Sequence, residues 1–292
     1  MSAEFAFIAA LQALASHPAA RGLADDCAVL EVGGEALILT HDMMVEGVHW
    51  LPGQDPADIA WKLLATNLSD LAAKGAEPLG VLLGYTLAAE NTRFAEGLGE
   101  ALTHFGVPLL GGDTVRGTGA QSLGLTALGR ATHRPVPSRS GAQAGDGIWI
   151  TGSVGAAMLG FEALSAGNTS ADTSAYRRPL PRLAEGRALA PLVTAMMDVS
   201  DGLLLDASRM AAASAATFAL DPVAIPLPAE LPVERARDAL SWGDDYELLF
   251  TLPTGTAPPC QAHRIGTVLP LGIVPLLLGD TPPEGPLGYE HC

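Results

Sequence analysis

Six acidic clusters punctuate the chain: Asp25-Asp26, Asp42, Asp70, Asp113, Asp198 with Asp201, and Asp244-Asp245. Most follow an apolar segment, adjoin glycine, or open a helical pattern; Asp70 falls inside one. Taken singly, each has an ordinary explanation. Asp42 suits a turn, Asp198 and Ser200 suit a helix cap, and Asp70 suits a solvated helix edge. Taken together they point elsewhere, because apolar segments that pack side by side bring their terminal carboxylates together. Neighbouring carboxylates repel and raise one another's pKa, and a hard cation removes that cost. Oxygen donors without His or Cys pairs select magnesium or calcium over zinc. The missing EF-hand loop favours magnesium. Magnesium is commonly held by a few carboxylates and by substrate phosphate oxygens, so phosphate is the natural second partner.

The usual phosphate motifs are absent. There is no GxxxxGK[ST], no GxGxxG opening a helix and no HRD/DFG set. Lys62 and Lys74 are the only lysines, so a lysine-centred phosphate site has two candidates. Lys74, just before Gly75, reads as a helix-end charge complementing the dipole. Asp198-Val199-Ser200-Asp201-Gly202 offers carboxylates, a hydroxyl and free amides at a helix start. Gly111-Gly112-Asp113 offers close backbone approach beside a carboxylate. Arg177, Arg178 and Arg182 read as solvated loop charges, Cys27 as a small buried residue, and His49 as a substrate contact, a core histidine or a metal ligand.

The positioning elements follow from pattern and punctuation. A strand covers 36–39 and ends at Thr40-His41-Asp42. Residues 56–76 form a helix capped by Asp55 or Asp58 and stopped by Gly75 and Pro78; Asn67 and Asp70 share one face of it. A strand over 78–87, a helix over 91–105, and strands over 107–110 and 121–131 follow. Residues 132–147 are rich in Pro, Gly and Ser and divide the chain into domains at 1–134 and 135–292. Beyond lie a strand at 147–151, a helix at 154–166, a strand at 194–197, a helix at 202–215, and short strands near 246–252 and 266–269. Mixed elements in two halves imply an α/β or α+β pair of domains.

The 292 residues are 48% hydrophobic and carry a net charge of −16. That is ample for two cores, and a chain so acidic is repelled by nucleic acid and anionic membranes. Three cysteines without a CxxC pair fit a reducing, cytoplasmic setting. The first residues lack a basic start and read as an amphipathic helix rather than a leader.

Seven motifs in order carry a resemblance: ADDCAVL (24–30), THDMMVEGVHW (40–50), ATNLSDLAAKGAEP (65–78), LLGGDT (109–114), SRSGAQAGD (138–146), MDVSDGL (197–203) and WGDDYELLFT (242–251). Together they resemble the thiamine-monophosphate kinase family, within the superfamily of aminoimidazole ribonucleotide synthetase. The resemblance implies an α/β plus α+β, two-domain synthetase-like fold whose N-terminal domain forms a barrel with a second copy, hence a homodimer. It implies ATP as co-substrate, thiamine monophosphate as acceptor, and several Mg²⁺ ions. By matched position, Asp25, Thr40, Asp42, Asp70, Asp113, Asp198 and Asp201 would ligate metal. Gly112, Asp113, Arg139, Ser200 and Phe105 would meet the nucleotide, and His49 and Asp244 the acceptor. The acceptor is a phosphate monoester with a second pKa of about 6, so no strong general base is needed.

This chain departs from the family pattern in several places. Ala24 replaces a turn glycine, and His41 a small hydroxyl residue beside the metal ligands. The family's GGEDYE reads Trp242-Gly243-Asp244-Asp245-Tyr246-Glu247. Pro286 stands where many members carry a tryptophan that stacks on thiamine. These departures motivate two alternatives: a relative acting on another acceptor, or a nucleotide- and magnesium-binding relative with impaired catalysis. The terminal Cys292 matches the last residue of hydrogenase maturation factors, but Gly-Tyr-Glu-His-Cys resembles the kinases' ending more closely.

Overall fold

The computed structural model describes residues 3–290, so Cys292 lies outside the described residues. The chain opens with α1 (Ala3–Gln12) and 3-10 turns over Pro18–Leu23. A first sheet follows, built from β1 (Ala28–Val32), β2 (Glu35–Val45), β3 (Ala76–Thr86), β4 (Leu109–Val115) and β5 (Ser122–Ala131). Between its strands run α2 (Pro56–Ala73) and α3 (Asn91–Phe105). The strand order is β1-β2-β5-β3-β4, with only β3 and β4 parallel.

Residues 132–146 cross without helix or strand to the second sheet. That half holds β6 (Gly147–Ile150), α4 (Ala156–Ser165), α5 (Ser174–Arg177), α6 (Leu183–Leu189) and β7 (Ala195–Val199). It continues through α7 (Leu203–Ala213), β8 (Ala216–Leu220), α8 (Ala236–Trp242), β9 (Glu247–Leu252), β10 (His263–Pro270) and β11 (Leu276–Leu278). The order is β11-β8-β10-β6-β9-β7, antiparallel except for β11 with β8.

α2 organises the molecule. Asp55 starts it by accepting a hydrogen bond from Ala57 N at 3.0 Å, with Pro56 in the first turn. Gly75 at φ 58° ends it, and a Cβ there would sit 2.4 Å from that of Ala190. From Ala57 to Ala73 every side chain except half-buried Asp70 is buried. Such a helix is covered all round rather than amphipathic. Leu63, Leu64, Leu68 and Leu71 are each fully buried and contribute roughly 1.5–3 kcal/mol apiece. They join the core under the first sheet, while Ala72 and Ala73 at the helix end pack with Met196, Leu248 and Phe250 of the second. One helix thus reaches both cores.

The structure revises four expectations. β2 does not stop at Asp42 but runs on to Val45, paired throughout with β5 from Leu37↔Arg130 to Val45↔Ser122. Asp42 is therefore mid-strand, held on the α2 face by the alternation of a pleated strand. β4 likewise runs through Gly111-Gly112-Asp113, and a Cβ on Gly112 would lie 2.0 Å from Leu83 O of β3. α1 forms, but Phe7 stays 65% exposed, so its apolar residues cover no core. The three arginines are not solvated loop charges. Arg177 and Arg178 both pair with buried Asp58, and Arg182 grips Glu247 with two nitrogens. They tie the α5–α6 segment to α2 and β9. No described helix is long and apolar enough to cross a membrane.

Gly97 lets α3 lie against α2, for a Cβ there would fall 2.2 Å from Ala57 Cα. Gly97→Val should therefore lower stability by about 1–3 kcal/mol or more, read as a lower urea midpoint. An unchanged midpoint would show that the α2–α3 contact is not tight.

Candidate active site

A cleft of about 600 Å³ opens where α2, β2 and the second sheet meet. Its polar side is built from four stations. β2 alternation points Thr40 and Asp42 toward α2. Thr40 Oγ1 donates to Asp70 Oδ2, and Asn67 Oδ1, one turn back, accepts from Asp42 N at 3.0 Å. Ser69 Oγ donates to Asp198 Oδ2 at 2.6 Å, joining α2 to β7. Asp25 and Asp26, just before β1, have fully buried side chains.

Lys74 holds that last station. Its Nζ is 2.5 Å from Asp25 Oδ1 and 2.5 Å from Asp26 Oδ2, the second contact an ion pair without hydrogen-bond geometry. Arg21 adds a contact to Asp25, and Arg139 Nε one to Asp26 at 2.6 Å. Lys74 is thus not a surface charge complementing a helix dipole; the fold buries it completely.

Asp26, Asp70 and Asp198 each aim an oxygen so that the three lie within 4.8 Å of one another. Among the described residues, no lysine or arginine forms an ion pair with Asp42, Asp70 or Asp198. Burial, and then Asp201 and Asp26, push the Asp42 carboxyl up to about 6. Burial and Asp26 push Asp198 up to about 8 against the Ser69 hydrogen bond. Asp70 is raised well above the ordinary value by burial, then by Asp42 and Asp198. Asp25 goes the other way: burial opposes its charge, but Lys74 and Arg21 outweigh that and hold it at about 2. Oxygen donors crowded together, with Asp42, Asp70 and Asp198 left without side-chain cations, fit one or more hard divalent ions.

The loop after β7 differs from expectation. Ser200 N and Asp201 N both donate to Asp206 Oδ2 at 3.0 Å, so these amides are occupied rather than free for an anion. Arg209 pairs with Asp201 and Asp206. Ser200 and Asp201 still line the cleft.

The other side of the cleft is aromatic. Phe161, Tyr176, Trp242, Tyr246 and Tyr289 line it, with His49 and Asp244 among them. His49 Nδ1 accepts from Val45 N at 3.0 Å, which orients the ring. Asp244, at φ 60°, receives Lys62 Nζ at 2.7 Å and Tyr246 Oη at 2.8 Å. Pro286 does not line the cleft; its carbonyl accepts from Arg237.

Of the residues singled out from sequence, Asp25, Asp42, His49, Asp70, Arg139, Asp198, Ser200, Asp201 and Asp244 line this one cleft, and Thr40 abuts it through Asp70. Gly112, Asp113 and Phe105 do not line it. The first two stand on β4, exposed along its whole length, and Phe105 packs on Trp61 at 5.1 Å. His41 faces away from the ligands, with Nδ1 2.9 Å from Thr126 Oγ1, because adjacent strand residues take opposite faces. The sequence reading passed over Asp26 as a ligand, Asp206 as a loop staple, Lys74 as a counter-ion and Trp242 as a wall. Asp26 carries a signal in its place in the Asp25-Asp26 pair, and Asp206 one in its place five and six residues after the amides it receives; Lys74 and Trp242 depend on distant partners.

Comparison with known proteins identifies the family of the chain. The sequence models of the AIR synthase related protein N-terminal and C-terminal domains match residues 24–131 and 143–257. A thiamine-monophosphate kinase of Escherichia coli K12 is 38% identical over 252 residues, covering 80% of this chain and 76% of that protein. One from Caulobacter vibrioides is 39% identical over 259 residues, with 82% and 73% covered. A solved structure of AaThiL complexed with AMPPCP and TMP superposes with a TM-score of 0.90 at 26% identity, covering 99% of this chain and 97% of that one. A thiamine-monophosphate kinase structure from Stenotrophomonas maltophilia gives 0.78 at 33%, with 94% and 95% covered.

The raised carboxyls make stability depend on pH. Asp42 and Asp198 keep protons in the folded chain that the unfolded chain has released, so their contribution is full below the ordinary 3.8. It is lost as pH rises through about 6 and about 8. In chelator, the melting temperature should fall between about pH 5.5 and 8.5. Mg²⁺ should restore it, more so at the higher pH, because cation and proton compete. A melting temperature insensitive to both would contradict a shared carboxylate site.

Proposed function

The chain belongs to the AIR synthase related family and, within it, to the thiamine-monophosphate kinases, and from that premise we infer that it transfers the γ-phosphoryl group of ATP to thiamine monophosphate, giving thiamine diphosphate and ADP. The observation that carries this reading is the charge asymmetry of the cleft. Asp42, Asp70 and Asp198 line the cleft without a side-chain ion pair among the described residues, while much of the rest of its lining is aromatic and carries His49 and Asp244.

Each residue group has its task in this reading. Magnesium, when bound, would supply positive charge against the phosphates of both substrates. Asp25, Asp42, Asp70, Asp198 and Asp201 would hold it, with Asp26 added by its position and Thr40 acting through Asp70. Thr40 and Ser69 fix the rotamers of Asp70 and Asp198. Arg139 and Ser200 would meet the nucleotide phosphates. His49 and Asp244 would orient the acceptor for in-line attack, and the barrier falls chiefly through positioning and charge compensation. The acceptor oxygen is already ionised near neutral pH, so no residue need remove a proton.

Gly112, Asp113 and Phe105 take their roles from the family alone. β4 leaves one edge open, and Leu82, Leu109, Leu110 and Val115 expose apolar side chains on it and on neighbouring β3. This supports a homodimer in which the first sheets of two copies close on each other. Asp113 then serves the other copy's cleft. The domains divide near 134 and 135, in the irregular crossing. The acidic chain and the free thiols of Cys27 and Cys260 suit the cytoplasm.

Two experiments test the reading. Purified protein with ATP, Mg²⁺ and thiamine monophosphate should yield thiamine diphosphate by chromatography, and Asp42→Asn should lose at least about a hundredfold in kcat with its melting temperature preserved. ATP binding without product would sink the kinase reading. Mixing Asp42→Asn with Asp113→Asn subunits should recover part of the wild-type activity, since one cleft of each mixed dimer is intact. No recovery would place Asp113 with its own chain's site or outside any site.

A further inference from the structure

Of the four tryptophans, Trp50 and Trp61 are core residues, 2% and 6% exposed, and Trp149 packs beside the second core. Trp242 differs. It is half-buried and lines the cleft next to the acceptor residues. A large apolar ring left partly in water, inside a concave polar site, is surface that an occupant covers.

Its position is fixed from both sides. Trp242 ends α8, and Gly243 follows at φ 97°, where a Cβ would lie 2.4 Å from Ser200 O. Asp244 N then donates to Ser200 O at 2.8 Å. The backbone carrying the indole is therefore clamped to the loop that bears Ser200 and Asp201. The ring itself rests on Phe161, with centroids 5.0 Å apart and planes at 43°, and Phe161 rests on Tyr176 at 5.4 Å.

The neighbouring charges decide what this wall recognises. Lys62 Nζ sits 3.9 Å over the Tyr176 ring and pairs with Asp244 Oδ2. Tyr176 already carries a cation on one face, and Asp244 is already paired with one. Attraction for a further positive group beside Asp244 falls to the other rings of the cleft, of which the Trp242 indole offers the strongest face.

We propose that Trp242, seated on Phe161, is a specificity-determining residue for the acceptor, receiving on its indole face the flat, cationic heteroaromatic part of the substrate. The proposal rests on the kinase reading above and deepens it. It also gives a use to the tryptophan that stands where the family's GGEDYE begins with glycine, in a chain with Pro286 at the stacking position.

The test compares Trp242→Phe with Trp242→Leu in the full-length protein. Leucine keeps apolar bulk against Phe161 but removes the π face. Trp242→Leu should raise KM for thiamine monophosphate by about ten- to a hundredfold, leaving KM for ATP unchanged and kcat within about twofold, the pattern of lost binding rather than lost chemistry. Trp242→Phe should stay near wild type. Thiamine monophosphate should also quench tryptophan fluorescence of the wild type, and the quench should vanish in both variants. An unaltered KM in Trp242→Leu, or a quench that survives it, overturns the proposal while leaving the kinase reading intact. If Trp242→Leu does not fold, as judged by loss of ATP binding, the fluorescence of Trp242→Phe decides alone. A wild type that neither quenches nor turns over overturns both readings.

Discussion

The ion pairs of Lys74 are the constraint on which the rest depends. A lysine at the end of the central helix is sealed from water and faces Asp25 and Asp26, themselves buried. Uncompensated, a buried charge costs several kcal/mol, and removing one partner of such a pair typically costs about 3–5 kcal/mol. The contact is therefore satisfied only when the end of α2, the start of β1 and the crossing segment at Arg139 arrive together. The same point joins the first sheet to the second, because Ala72 and Ala73 pack beside Met196 and Phe250.

That placement divides the acidic residues into two kinds. Asp25 and Asp26 face Lys74, Arg21 and Arg139, and Asp201 and Asp206 face Arg209. Asp42, Asp70 and Asp198 face one another, at a cost that shows in their raised pKa values. The ion pairs fix the first group in the frame of the site, and the second group is left to repel itself across the cleft. A chain with two lysines, both buried, can therefore handle two polyanions without offering either a lysine.

Across the cleft the second lysine works in a similar way. Lys62 is fully buried, holds Asp244, accepts the face of Tyr176, and donates to His49 O. Both residues expected to meet the acceptor are thus tethered to α2, which also carries Ser69 and Asp70. One rigid helix sets the separation between the metal-binding side and the acceptor side, the kind of support a positioned reaction requires.

Much of this was legible in the sequence. The helix over 91–105 and the caps around Asp55 and Gly75 are local matters of propensity and turn chemistry, so they can be read from neighbouring residues. The aspartates could be gathered as a set because their types and flanking patterns persist whatever the fold, and the motif order carried the family. Other features needed the fold. Lys74 looked like a helix-end charge because its partners lie 49 and 48 positions earlier. Asp206 became a staple only through Ser200 and Asp201 folding back onto it. His41 turned away from the ligands by strand alternation. Arg182 found Glu247 65 positions on. The sequence by itself determined which side chains could bind a hard cation and phosphate. Tertiary structure decided which of those carboxylates were neutralised internally and which were left for a ligand, because ion pairing between buried groups depends on distances that only the packed chain defines.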